Sequence, residues 1–182
     1  MTTLALVRHA DTRWSVAGRI QGRADVPILP DATARLPERC RGMRVVTSPL
    51  RRCVETAALL GIAHQVDARL IEMDWGDCEG ETLARLRERP SMLENEARGL
   101  DFRPAGGESP REVWARVAPW LREIRQPTLA ITHRGVIRVV LAQACGWNMR
   151  GPPPAKLDWH AVHFFRLDEE GRPSIDTLNV HA

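Results

Sequence analysis

Two short apolar runs, each ending on a histidine with an arginine beside it, constrain this chain more than any other feature. The first is Leu4-Ala5-Leu6-Val7, closed by Arg8-His9 before any turn residue. The second is Thr128-Leu129-Ala130-Ile131-Thr132, closed by His133-Arg134-Gly135 and followed at once by a helical pattern from Val136 to Cys145. Short apolar runs of this kind read as strands of a parallel sheet buried on both faces. In open α/β sheets, ligands gather just outside the carboxyl ends of such strands. A single strand ending on Arg-His marks no more than the point where a strand meets water. Two in one chain place both imidazoles at one site, and arginine with histidine suits a phosphate.

The chain has 182 residues, 43% hydrophobic and 27% charged, which predicts one ordinary globular domain spanning 1–182. No stretch approaches the ~20 apolar residues of a membrane span, and Met1-Thr2-Thr3 does not open a signal peptide. Cys40, Cys53, Cys78 and Cys145 have no zinc-ligand or redox spacing, so a reduced, cytoplasmic setting is expected. The net charge of +3 and pI near 9.0 do not make a nucleic-acid binder. The basic residues are almost all arginine, Lys156 being the only lysine, and they are spread along the chain. No membrane or nucleic-acid partner is expected, and monomer and homodimer stay open.

Ala10 to Pro30 reads as a long irregular loop, which inside a compact domain is usually functional. A short helix is predicted over Ala32–Arg41, a strand over Arg44–Thr47 and a helix capped by Ser48-Pro49 and ended by Gly61. His64–Asp67 is a short strand, Leu70–Gly80 a loop, and Glu81–Gly99 a polar helical segment split at Pro90. Ser109-Pro110-Arg111-Glu112 is a capping box opening a helix with an apolar stripe, in which Pro119 predicts a kink or an early end. Ala161–Leu167 and Ser174–Val180 form a hairpin around Asp168–Gly171. The alternation predicts an α/β fold, a three-layer α/β/α sandwich with a mostly parallel central sheet.

LVRHADTRW resembles the RHG signature of the histidine phosphatase, or phosphoglycerate mutase-like, superfamily. The resemblance runs on through Arg19-Ile20-Gln21-Gly22, Ser48-Pro49-Leu50-Arg51-Arg52-Cys53 with Glu55-Thr56-Ala57, and Leu70-Ile71-Glu72-Met73-Asp74-Trp75-Gly76 with Glu79-Gly80. It continues in Gly106-Gly107-Glu108-Ser109 and Thr132-His133-Arg134-Gly135. Each block is weak alone; together, in family order, they are specific.

The resemblance implies that His9 is the nucleophile that takes the phosphoryl group, with His133 opposite it. Arg8 and Arg52 would clamp the phosphate oxygens, and Arg51 would be exposed. Ser15, Gln21, Gly22 and Arg134 would complete phosphate and substrate binding. Glu72 would be the general acid and base, with Asp74 and Glu79 as nearby competitors. No metal and no cofactor is implied. The family's usual glycine, glutamate and asparagine are replaced by Ala10, Asp11 and Ser15. A positive φ at position 10 would strain alanine, and serine reaches less far than asparagine.

Mutases of the family resemble longer chains with an insertion between the acid and the second histidine. The shorter segment here favours hydrolysis of a small phosphate monoester, a phosphorylated metabolite, through a phosphohistidine at His9. Ribazole-phosphate is one such substrate among several. A mutase-type transferase, a phosphohistidine protein phosphatase and a phosphate-binding domain without turnover stay open. Trp14 and Trp75 would line the substrate mouth, while Trp114 and Trp120 pack in the core. Arg13, Arg19 and Arg23 are either leaving-group contacts or surface charge, and His160, His163 and His181 receive no role.

Overall fold

A computed structural model describes residues 1–182. Strands β1 (Thr2–Arg8), β2 (Arg44–Thr47), β3 (Gln65–Val66), β4 (Thr128–Thr132), β5 (Val162–Leu167) and β6 (Pro173–Val180) form one sheet in the order β3-β2-β4-β1-β5-β6. The first four in that order are parallel, β5 is antiparallel to β1, and β6 is antiparallel to β5. The sheet is therefore mostly parallel, with an antiparallel hairpin added at one edge. The helices are α1 (Arg13–Val16), α2 (Arg51–Leu59), α3 (Leu83–Arg87), α4 (Pro90–Glu96), α5 (Pro110–Glu123) and α6 (Arg134–Cys145).

The apolar runs need cover on both faces, and successive strand residues point opposite ways. Leu4 and Leu6 of β1 pack with Val117 and Leu121 of α5 and with Ile137 and Leu141 of α6. Ala5 and Val7 pack on the other face with Cys53 and Ala57 of α2. Each fully buried leucine here contributes about 1.5–3 kcal/mol relative to exposure. The three-layer α/β/α arrangement follows from this two-sided burial. No helix is long and apolar enough to cross a membrane.

Local signals were overridden at four places. The helix expected over Ala32–Arg41 is only a 3-10 turn at Glu38–Cys40, because Pro37 cannot donate and pushes Leu36 out of the helical region. The loop from Ala10 to Pro30 contains the single turn α1, closed by a capping box between Thr12 and Ser15. Helix α2 begins at Arg51, not at Pro49, with Leu50 as a cap that makes no side-chain hydrogen bond. The Ser48 hydroxyl is turned instead toward His133. Pro119 does not end α5, which continues to Glu123. Pro119 and Ala115, whose carbonyl loses its helical donor, are both exposed, so water can hydrate the freed oxygen.

The capping box at the start of α5 is present, with Ser109 accepting from the Glu112 amide and Glu112 accepting from the Ser109 amide. Ser109→Ala should destabilise the protein by about 1 kcal/mol in chemical denaturation. An unchanged midpoint would show that α5 is held by packing alone.

Candidate active site

The parallel strands deliver three side chains to adjacent strand ends. Arg8 pairs in register with Thr132, and Thr47 with Ile131. The ladder then continues for one residue on each side: the His9 amide donates to Thr132 O, and the Ser48 amide to Ile131 O, both at 3.0 Å. His9, His133 and Ser48 thus leave three neighbouring strands at one level. The two imidazole centroids are 5.3 Å apart.

Both rings are buried, His9 at 4% exposure and His133 at 0%. His9 Nδ1 lies 2.7 Å from the carbonyl oxygen of Ala10. A carbonyl only accepts, so Nδ1 carries the proton and Nε2 keeps a lone pair. Burial, then Arg8 and Arg52, hold the His9 pKa well below the ordinary histidine value, so the ring is neutral. His133 is likewise held well below that value, first by burial and then by Arg52. Its Nε2 pairs with Ser48 Oγ at 2.7 Å, and the same oxygen accepts from the Leu50 amide at 3.3 Å.

The Ala10 amide donates to Thr56 Oγ1 at 2.8 Å, fixing the loop that holds the carbonyl under His9. Met149 and Asn179 are the non-glycine residues with positive φ. Position 10 therefore does not require glycine, and alanine is unstrained there.

Arg52 is fully buried, and no carboxylate pairs with it. Its Nη1 donates to Ala24 O at 2.8 Å and its Nη2 to Gly22 O at 2.7 Å. Two of its five N–H groups are thereby used, and Nε has no acceptor in the protein. The other side of that loop is held by Glu79, which accepts from the amides of Arg23 at 2.7 Å and Ala24 at 3.1 Å. A Cβ at Gly22 would stand 2.0 Å from Glu79 Oε1, so only glycine allows this contact. Arg8, also buried, meets Asp11 at 3.4 Å, and Arg51 is exposed as expected.

Glu72 sits on the loop below the start of α6. Its Oε1 accepts from the Met73 amide at 2.8 Å and its Oε2 from the Gly135 amide at 3.2 Å. A Cβ at Gly135 would lie 2.3 Å from Oε1. Burial pushes the Glu72 pKa up, against the opposing pull of those amides and Arg52. A carboxyl so placed holds its proton above the usual range.

Asp74 is engaged otherwise, meeting Arg23 at 3.5 Å and accepting from the Gly76 amide. Arg23 also donates to Glu72 O and meets Glu108, which takes two bonds from Arg116. This network pins the acid-bearing loop. Glu108 is visible in sequence only as part of a motif, and nothing there marks its role.

The remaining expected residues are placed less centrally. Ser15 Oγ is committed to the Thr12–Ser15 cap, with Asp11 Oδ1 3.0 Å away. Gln21 Oε1 accepts from Thr12 Oγ1 at 2.6 Å, and Gly22 contributes its carbonyl to Arg52. Arg134 is exposed, and its charge adds to that of Arg8 and Arg52 at His9. Trp75, half-buried, packs on Phe102 and against the core, and Trp14 lies over Gly80.

Acid should destabilise this fold in a defined window. Burial lowers the pKa of His9 and His133, and that of His163 to about 4, so in each case the unfolded chain binds a proton that the folded chain does not. Their contribution is complete above about pH 6.5 and is lost as pH falls toward the folded values. Glu72, with its raised pKa, acts in the opposite sense. Denaturant titrations between about pH 6.5 and 5 should show net proton uptake on unfolding, the imidazoles outweighing the opposing carboxyl. A flat profile would contradict the buried neutral rings.

The comparisons agree with this geometry. The profile of the histidine phosphatase superfamily (branch 1) matches residues 4–181. Glucosyl-3-phosphoglycerate phosphatase of Mycobacterium tuberculosis is 28% identical over 163 residues, covering 76% of this chain and 73% of that protein. The 6-phosphofructo-2-kinase/fructose-2,6-bisphosphatase of Gallus gallus is 30% identical over 167 residues, covering 86% of this chain. The match spans only 36% of that longer protein. The crystal structure of TTHB049 from Thermus thermophilus is 26% identical, with a TM-score of 0.79 over 99% of this chain and all of that one. With paired strand-end histidines, a buried arginine and a glutamate against the start of α6 in family order, the chain belongs to the histidine phosphatase superfamily, branch 1.

Proposed function

We propose that this protein hydrolyses a small-molecule phosphate monoester through a phosphohistidine on His9. The observation that carries the reading is the His9 tautomer: Nδ1–H on the Ala10 carbonyl leaves Nε2 as a neutral nucleophile among guanidinium groups. The relatives support the substrate class, since their names describe phosphatases of small phosphorylated metabolites.

In the first step Nε2 attacks phosphorus, and the bond from phosphorus to the ester oxygen breaks. The Glu72 carboxyl gives its proton to that oxygen, and the alcohol leaves. The phosphorylated ring gains positive charge, which the Ala10 carbonyl on Nδ1–H stabilises. In the second step water attacks phosphorus while Glu72, now a carboxylate, takes the proton. The N–P bond breaks, inorganic phosphate leaves and His9 is neutral again.

Phosphoryl transfer spreads charge over the equatorial oxygens, so catalysis is largely positioning and charge stabilisation. The unused N–H groups of Arg52 supply fixed donors, and the charges of Arg8 and Arg134 add to the field. Holding buried cations in place before the substrate arrives avoids reorganisation during reaction.

p-Nitrophenyl phosphate and an alkyl phosphate separate the roles. His9→Ala should abolish turnover of both esters and the acid-labile phosphoenzyme. Glu72→Gln should slow the alkyl ester by about 10²–10⁴-fold and p-nitrophenyl phosphate less, because that leaving group needs little protonation. Gly135→Ala should lower kcat by about tenfold or more through displacement of the Glu72 carboxylate. Phosphoenzyme formation in His9→Ala, or equal loss on both esters in Glu72→Gln, would overturn the assignment.

A further inference from the structure

The antiparallel hairpin brings unassigned polar side chains to the same end of the sheet as His9. Val162 at the start of β5 pairs with Val7 at the end of β1, and with Val180 at the end of β6. The segment entering β5 and the one leaving β6 therefore flank the strand end that carries Arg8 and His9. Between them lies a cleft of about 440 Å³ lined by Arg134, Lys156, Trp159, His160, Asn179 and His181 among others. Arg134 belongs to both places: it lines this cleft, and its charge acts on His9 and Arg8.

The cleft wall is built, not a chance gathering of surface charge. Asn179 adopts a positive φ of 58°, which asparagine tolerates better than most residues. From there its Oδ1 accepts from the Asp158 amide at 2.7 Å and its Nδ2 donates to Lys156 O at 2.9 Å. Trp159 lies under the Arg134 guanidinium, 5.0 Å from ring centroid to Cζ, and orients it. The one carboxylate in the lining, Asp158, is engaged by the His160 amide at 2.9 Å and by His181 Nε2 at 3.5 Å. Those contacts hold its carboxylate in place, while Lys156, His160 and His181 keep exposed side chains.

We infer that this cleft takes a second anionic group of the substrate, a carboxylate or a further phosphate, while the reacting phosphate lies at His9. The inference rests on the phosphatase reading and narrows it to esters that carry two anions. Lys156 and His160 are then specificity residues that touch substrate away from the reacting bond.

Matched esters test it. 3-Phosphoglycerate against glycerol 3-phosphate isolates a carboxylate, and fructose 1,6-bisphosphate against fructose 6-phosphate isolates a phosphate. The wild type should favour the two-anion member of at least one pair in kcat/KM. A Lys156→Gln/His160→Asn variant should raise KM for that member about tenfold, with the single-anion partner within about twofold and melting unchanged. Equal effects on both members, or none on either, would overturn the inference.

Calorimetric binding of the same pairs reads the cleft independently of turnover. A wild type that binds the two-anion ester more tightly yet hydrolyses nothing would sink the phosphatase reading and keep the cleft. Hydrolysis without any two-anion preference would do the reverse. Lys156, the only lysine, also offers a residue-specific probe. Amine-selective labelling at Lys156, located by peptide mapping, should be suppressed by the preferred two-anion ester and not by its partner. Labelling that neither ester suppresses would also count against the cleft.

Discussion

A buried guanidinium without a carboxylate partner is the constraint around which this site is arranged. Removing a charge from water is costly unless other groups replace its hydration. At Arg52 the replacement is two backbone carbonyls, from Gly22 and Ala24, on a loop that Glu79 grips by its amides. The glycine at 22 exists for that grip, since any Cβ would enter the Glu79 carboxylate. Carbonyls solvate the cation but do not neutralise it. Its field therefore persists into the pocket, adds to the burial that keeps both imidazoles neutral and opposes the rise in the Glu72 pKa. An anion with several oxygens is the ligand class that such a pocket favours.

The parts of the fold set by long-period patterns were legible in the sequence. The apolar runs of β1 and β4 marked the buried parallel strands, and the Ser109 box marked the start of α5. The differences arose from a distant partner, from solvent exposure and from a single proline. Ser48 looks like the cap of α2, but the helix starts later, and the serine hydroxyl pairs with His133, 85 positions away, as well as with the Leu50 amide. Pro119 looks like a helix breaker, but solvent on that face removes much of the cost. Ala32–Arg41 has helical residue types, but Pro37 decides.

The candidate site was legible as a set of residue types at strand ends, and less so as a geometry. Nothing local marks Thr56 as the anchor of the Ala10 amide, or Glu108 as the hub joining Arg23 and Arg116. The Thr56–Ala10 and Glu108–Arg23 bonds span long sequence separations and leave no periodic trace. The same holds for the cleft at Lys156. Its histidines have no ligand-like spacing, and only the antiparallel return of β5 and β6 sets them beside Arg134. The hairpin that closes the sheet edge thus also shapes the surroundings of the strand end.

The central claim is that His9 presents a bare Nε2 at neutral pH because its only ring proton is held by the Ala10 carbonyl. Long-range ¹H–¹⁵N correlation of the imidazoles, with His9→Gln for assignment, reads that proton directly. The account predicts a neutral His9 ring at pH 7, protonated on Nδ1, and staying neutral well below the ordinary histidine range. An imidazolium at pH 7, or a neutral ring protonated on Nε2, would contradict it.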